Sequence, residues 1–152
     1  MKIIIVENEL YLAQSIASKL NENGYETEIY SSIKEAMNSQ GDVYLLSTNL
    51  PGQNTSPLIK QFKDKIIILM VNYINNDTVG EPLKLGAKDY IVKPFMLEDL
   101  MRKIEHYKEY QSLKQQTSLY QEYMQNLLHD IESNFDISEI TTPLVIETNY
   151  QR

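Results

Sequence analysis

The chain has 152 residues, 42% apolar and 23% charged, which fits one packed domain with an appendage and excludes wholesale disorder. Its formal net charge of −7 repels phosphate backbones, so the chain alone is not expected to bind DNA or RNA. It has no cysteine, which excludes disulfides, thiolate metal sites and thiol switches, and no apolar run approaches the roughly 20 residues that span a bilayer.

Taken in chain order, residues 2–6 (KIIIV) are a β-branched run suited to a strand buried on both faces. That run is too short for a signal peptide, and a cytoplasmic location is expected. Residues 9–21 place Leu10, Leu12, Ala13, Ile16, Ala17 and Leu20 at helical spacing, and Asn23-Gly24 stops the helix. Residues 25–30 alternate, as a strand with one wet face does. Ser31-Ser32 can cap a short helix through about Asn38. Residues 43–47 predict a third strand, ended by the turn at Pro51-Gly52, and a short helix follows over Pro57–Phe62. Residues 66–71 (IIILMV) predict a fourth strand. Residues 77–86 predict a weak helix, because Gly80 and Pro82 lie inside it. Gly86 ends it, and residues 89–92 give a fifth strand.

This alternation predicts the α/β class: a doubly wound, five-stranded parallel sheet with helices on both faces and an extended C-terminal helix. Sites in such sheets form at the carboxyl ends of the strands, here near Glu7–Glu9, Ser47–Asn49, Val71–Asn72 and Lys93.

From Leu97 the pattern stays helical. Leu97, Leu100, Ile104 and Tyr107 are expected to pack on the sheet. The phase slips near Tyr110, and a second stripe follows: Leu113, Thr117, Tyr120, Met124, Leu127 and Ile131, spaced 4, 3, 4, 3 and 4. A helix from Leu97 to about Asn134 would be about 57 Å long, longer than a domain roughly 30 Å across. Its second half must project or fold back. A parallel homodimer through this stripe is expected, with a fold-back onto its own domain as the alternative. Residues 1–110 are read as the domain and 111–135 as the helical dimerisation segment. Residues 136–152, with the small patch Leu144-Val145-Ile146, are read as a tail or the start of a linker.

Three segments match a family: VENE at 6–9, DVYLLSTNLPG at 42–52 and LGAKDYIVKPF at 85–95, the last being the most specific. On these residues, about 1–110 resembles the receiver domain of bacterial two-component response regulators. The resemblance implies a flavodoxin-like sheet. It also implies a pocket in which two acids after strand one and an aspartate after strand three hold Mg²⁺. That aspartate takes a phosphoryl group, which a Thr or Ser after strand four and a Lys after strand five then contact. Matched position by position, Glu7 keeps the first acid and Asn8 replaces the second. Ser47 stands at the phosphoacceptor, Val71 at the Thr or Ser, Lys93 at the lysine and Tyr90 at the switch aromatic. The short interval from Ser47 to Val71 implies a trimmed third helix.

With two acids lost, poor Mg²⁺ affinity is expected, and no metal, cofactor or catalytic residue. Ser47 has no base beside it in sequence, and Glu7 is expected to pair with Lys93. The chain is similar to atypical, orphan-type regulators that work without phosphorylation. The expected function is therefore non-enzymatic: a dimerising regulatory module for an output domain in a longer parent chain, one that binds DNA and regulates transcription.

Two alternatives stay open. One is a phosphoacceptor on Ser47 or Glu9. The other is a flavin- or nucleotide-binding enzyme, which the acidic loop Glu7-Asn8-Glu9 disfavours. Plain structural readings stand beside these: an ordinary Glu7–Lys93 ion pair, Ser47 as a small strand-end residue, Tyr90 as a packing aromatic, Asp42 as structural, and His106 and His129 as solvated surface.

Overall fold

The computed structural model describes residues 1–134, with side chains through 132; the expectations for 136–152 lie outside the described residues. Five strands, β1 (Lys2–Val6), β2 (Glu26–Tyr30), β3 (Val43–Ser47), β4 (Ile66–Val71) and β5 (Asp89–Val92), form one sheet in the order β2-β1-β3-β4-β5. Every pairing is parallel. The helices are α1 (Leu10–Glu22), α2 (Ile33–Ala36), α3 (Ser56–Gln61), α4 (Glu81–Leu85) and α5 (Leu97–Asn134). This is the doubly wound sheet with a long C-terminal helix that the alternation predicts.

The two faces of the sheet follow from strand periodicity. Ile3 and Ile5 point to one side, where they join Ile16, Leu20, Leu100 and Ile104 of α1 and α5. Ile4 and Val6 point to the other, where they join Leu58 and Ile59 of α3, Ala36 of α2 and Val79. Because both faces are covered, β1, β3 and β4 read as continuous apolar runs rather than alternating ones.

Three details refine the expectations. Leu10 lies at the edge of the helical stripe and is 61% exposed, while Leu12 packs partly against the core and Ala13 is fully buried. α2 ends at Ala36 rather than near Asn38. The expected helix over 77–86 is present, opening with a π-helical turn, Asn76–Gly80, that runs directly into α4. The π turn has a local setting. A Cβ on Gly80 would sit 2.5 Å from the Asn76 carboxamide oxygen, so only glycine fits that widened turn without the Asn76 side chain moving. Pro82, lacking an N–H, sits at the start of α4, while the Glu81 N–H before it bonds back to the Asn76 carbonyl of the π turn. Asn75 and Thr78 cap the π turn reciprocally, at 2.8 and 3.0 Å.

Leu100, Met101 and Ile104 of α5 are buried, and Leu97 and Tyr107 pack partly against them. The chain divides into two compact units, one spanning Met1–Tyr107 and the other beginning at Lys108. Among the described residues no helix is long and apolar enough to cross a membrane.

Gly86 ends α4 with φ +136°, and a Cβ there would approach Lys63 Cβ to 2.7 Å. Gly86→Ala is therefore expected to cost about 1–3 kcal/mol in urea unfolding, since both the left-handed backbone and the contact oppose a side chain.

Candidate functional site

The order of the sheet reverses between β1 and β3, so the carboxyl ends of these strands open into the crevice where α/β sheets place their sites. The register Val6↔Leu46 sets Glu7 beside Ser47. The registers Ser47↔Met70 and Val71↔Val92 bring Lys93 to the same end.

Lys93 is the centre of the resulting cluster. Its Nζ donates to Glu7 Oε1, to Ser47 Oγ at 2.9 Å and to Asn49 Oδ1 at 3.1 Å. An ammonium has three N–H donors, and each has an acceptor here. The carboxylate of Glu7 is equally complete: its side chain is fully buried, and Oε2 accepts the backbone N–H groups of Asn8 at 2.9 Å and Glu9 at 3.2 Å. A buried charge is tolerable only when paired and hydrogen-bonded in this way. Ser47 Oγ accepts from Lys93 and donates to Asn49 Oδ1 at 2.5 Å. An amide oxygen is no base, so this hydrogen bond does not activate Ser47 as a nucleophile.

The structure brings together Glu7, Ser47 and Lys93, three of the residues singled out in sequence. Asn8 contributes its backbone N–H, and its residue is exposed. Val71 is fully buried in the core layer that faces α3 and α4; its carbonyl accepts the N–H of Lys93 at 2.7 Å, and its side chain offers no polar atom. Tyr90 packs partly against that same layer. Its N–H donates to Asp89 Oδ1 at 2.7 Å. Asp89 Oδ2 accepts from Lys103 at 3.0 Å and from the Tyr107 hydroxyl at 3.3 Å. Burial, then the neighbouring Asp89 carboxylate, pushes the Tyr107 hydroxyl above the usual phenol range. Asp42 lies outside the cluster and holds the Lys2 N–H at 2.8 Å, a structural contact. His106 stands edge-on to Tyr107 at 5.1 Å.

Asn49, which the sequence places in the strand-end region Ser47–Asn49 without a role of its own, is the fourth member of the cluster. The signal was available: a buried serine at a strand end needs an acceptor for its hydroxyl, and Asn49 is the polar side chain two residues on. Thr48 Oγ1 beside it is buried and has no hydrogen-bond partner among the described residues.

Mg²⁺ takes carboxylate oxygens and keeps several waters. The cluster offers one carboxylate, Glu7, with both oxygens engaged, beside the neutral side chains of Ser47 and Asn49. Among the described residues no three of His, Cys, Asp and Glu gather so as to hold a metal. The donor set does not fit Mg²⁺.

With this geometry in hand, comparisons with known proteins converge. The family described as response regulator receiver domain matches residues 3–105. The response regulator ArlR of Staphylococcus epidermidis is 36% identical over 110 residues, covering 67% of this chain and 50% of that protein. The transcriptional regulatory protein CiaR of Streptococcus pneumoniae is 30% identical over 112 residues, 69% of this chain and 50% of that protein. The chain thus spans about half the length of the curated relatives it matches. Among solved structures, a CheY-like receiver domain protein from Methanospirillum hungatei superposes with a TM-score of 0.67 at 25% identity, over 74% of this chain and 97% of that one. DrrB of Thermotoga maritima, described as an OmpR/PhoB homolog, gives a TM-score of 0.65 at 21% identity, over 72% and 53%.

The cluster makes a stability prediction. Lys93→Met leaves the Glu7 carboxylate buried without its cation and is expected to cost about 3–5 kcal/mol. Adding Glu7→Gln removes the stranded charge and should recover most of that loss. Urea unfolding of the two variants measures both.

Proposed function

The chain belongs to the response regulator receiver domain family, and from that premise we propose that it is a receiver that signals without taking a phosphoryl group. It acts by non-enzymatic contact: two copies pair through the second half of α5 and hold the output domains of a longer cytoplasmic parent chain side by side. The observation that carries this reading is the saturated cluster at Lys93. A serine stands where the resemblance implies the phosphoacceptor aspartate, and all three lysine donors are already used within the protein. A phosphoryl group arriving there would have to displace those contacts, with no carboxylate to attack it and no Mg²⁺ set to neutralise it.

The dimer and the output domain have separate support. The apolar residues Leu113, Tyr120, Tyr123, Leu127 and Leu128 of α5 are exposed, as an interface awaiting its partner would be. The relatives run to about twice the matched length, and one of them carries the description transcriptional regulatory protein. Paired receivers would present two DNA-binding domains with two-fold symmetry, the arrangement a palindromic site requires.

Amide NMR with Mg²⁺ and beryllofluoride, a mimic of the aspartyl phosphate, tests the proposal. No shifts are expected at Glu7, Ser47 or Lys93. Shifts there that spread to Tyr90 would overturn it. Labelling by acetyl phosphate that Ser47→Ala or Glu9→Gln abolishes would do the same and identify the acceptor. In the converse experiment, Asn8→Asp with Ser47→Asp restores two carboxylates, and Mg²⁺-dependent shifts around Glu7 and Lys93 are expected to appear.

A further inference from the structure

The second half of α5 leaves a face whose partner its sequence identifies. With Thr117, Met124 and Ile131 at heptad position a, and Leu113, Tyr120 and Leu127 at d, the stripe spacing is that of a coiled-coil seam. β-branched residues at two of those a positions and leucine at two of the d positions favour two parallel strands. Thr117 would weaken an apolar layer if its hydroxyl were free. Instead the hydroxyl donates to the Leu113 carbonyl at 2.9 Å, within the helix, so its polar atom is already satisfied and its methyl can face a partner.

The flanking positions decide the orientation. In a parallel pair each g residue lies beside the e residue five places later on the other helix. The three such pairings here are Glu109 with Lys114, Gln116 with Gln121, and Tyr123 with Leu128: opposite charges, two amides, and two apolar groups. All six residues are exposed. In the antiparallel register that stacks Met124 on Tyr120, Lys114 would instead meet Leu128, a charge against an apolar side chain.

We infer that a second copy of this chain covers this face in parallel and in register, so that each seam residue meets its own equivalent. The apolar shoulder of Tyr123 and Leu128 widens the contact toward its C-terminal end, and the Glu109–Lys114 pair fixes the alignment at its start. The inference rests on the reading that α5 pairs two copies, and the test separates the two.

The chain has no cysteine, so single cysteine variants report one position each. Thr117→Cys and Leu113→Cys, mildly oxidised, are expected to run mainly as covalent dimers. Ser118→Cys, on the outer side of the helix, should stay mainly uncrosslinked. Glu109→Lys, which sets like charges side by side, is expected to weaken the dimer about five-fold in sedimentation equilibrium, and adding Lys114→Glu should restore it. If the unchanged chain sediments as a dimer but cross-links form only when Leu113→Cys is mixed with Ile131→Cys, the pair is antiparallel: the register is overturned and the pairing stands. If the unchanged chain sediments as a monomer at micromolar concentration, both the inference and the reading beneath it fall.

Discussion

One buried ion pair organises the functional end of this domain. Glu7 ends β1 with its side chain fully buried, and its carboxylate would be untenable there without the Lys93 ammonium and two backbone N–H groups. Lys93, in turn, follows β5 and reaches across the end of β3 to touch Ser47 and Asn49. A single ammonium thus ties the carboxyl ends of β1, β3 and β5. A buried pair of this kind adds little net stability over apolar packing, because desolvation offsets most of the attraction. Its effect lies in what it forbids. Sliding any of these strands by one residue would strand a charge in a dry layer, so the pair penalises misregistered sheets far more than it rewards the correct one.

The same completeness bears on function. An anion arriving at this pocket would have to displace contacts already made within the chain. Here the lysine donors, both carboxylate oxygens and the serine hydroxyl are all engaged within the chain. The cluster is its own ligand. Val71 completes the picture on the next strand: it is buried among Leu69, Val79 and Ala87, so that position serves the core rather than the crevice. The contacts that complete the crevice and the packing that completes the core are thus made by neighbouring strand ends of one sheet.

Much of this was legible in the sequence because the period of the pattern is fixed by backbone geometry. The runs at 3–6 and 66–71 admit no amphipathic helix, and their continuity announces strands covered on both faces. The family motifs then brought Glu7, Ser47 and Lys93 together before any coordinates did. What escaped depended on contacts that periodicity does not encode. Leu10 has the right spacing, but spacing does not say that it lies at the exposed edge of the stripe while Ala13 is buried. The π turn that opens the fourth helical segment brings Gly80 close to one carboxamide, a contact no periodicity announces. Asn49 falls in the strand-end region the sequence points to, but only the positions of the Ser47 hydroxyl and the Lys93 ammonium give it a role.

The long helix poses the remaining physical question, because one element answers to two different burial demands. Leu97, Leu100, Ile104 and Tyr107 follow a 3, 4, 3 rhythm, which would continue at Gln111 and Lys114. The apolar residues arrive one place early, at Tyr110 and Leu113. One residue is about 100° of helix rotation. The stripe that completes the receiver core therefore does not run on into the seam; it stops, and a new one begins on another side of the helix. A helix whose only task was to close the core could end near Tyr107, where its hydroxyl meets the Lys88 carbonyl at 3.1 Å and Asp89. Continuing to Asn134 with a fresh apolar stripe costs conformational entropy for every ordered residue, and only burial against something else offsets that cost. The break in phase falls where the first compact unit ends, at Tyr107, so the residues that close the core and the exposed stripe beyond them are separate sets.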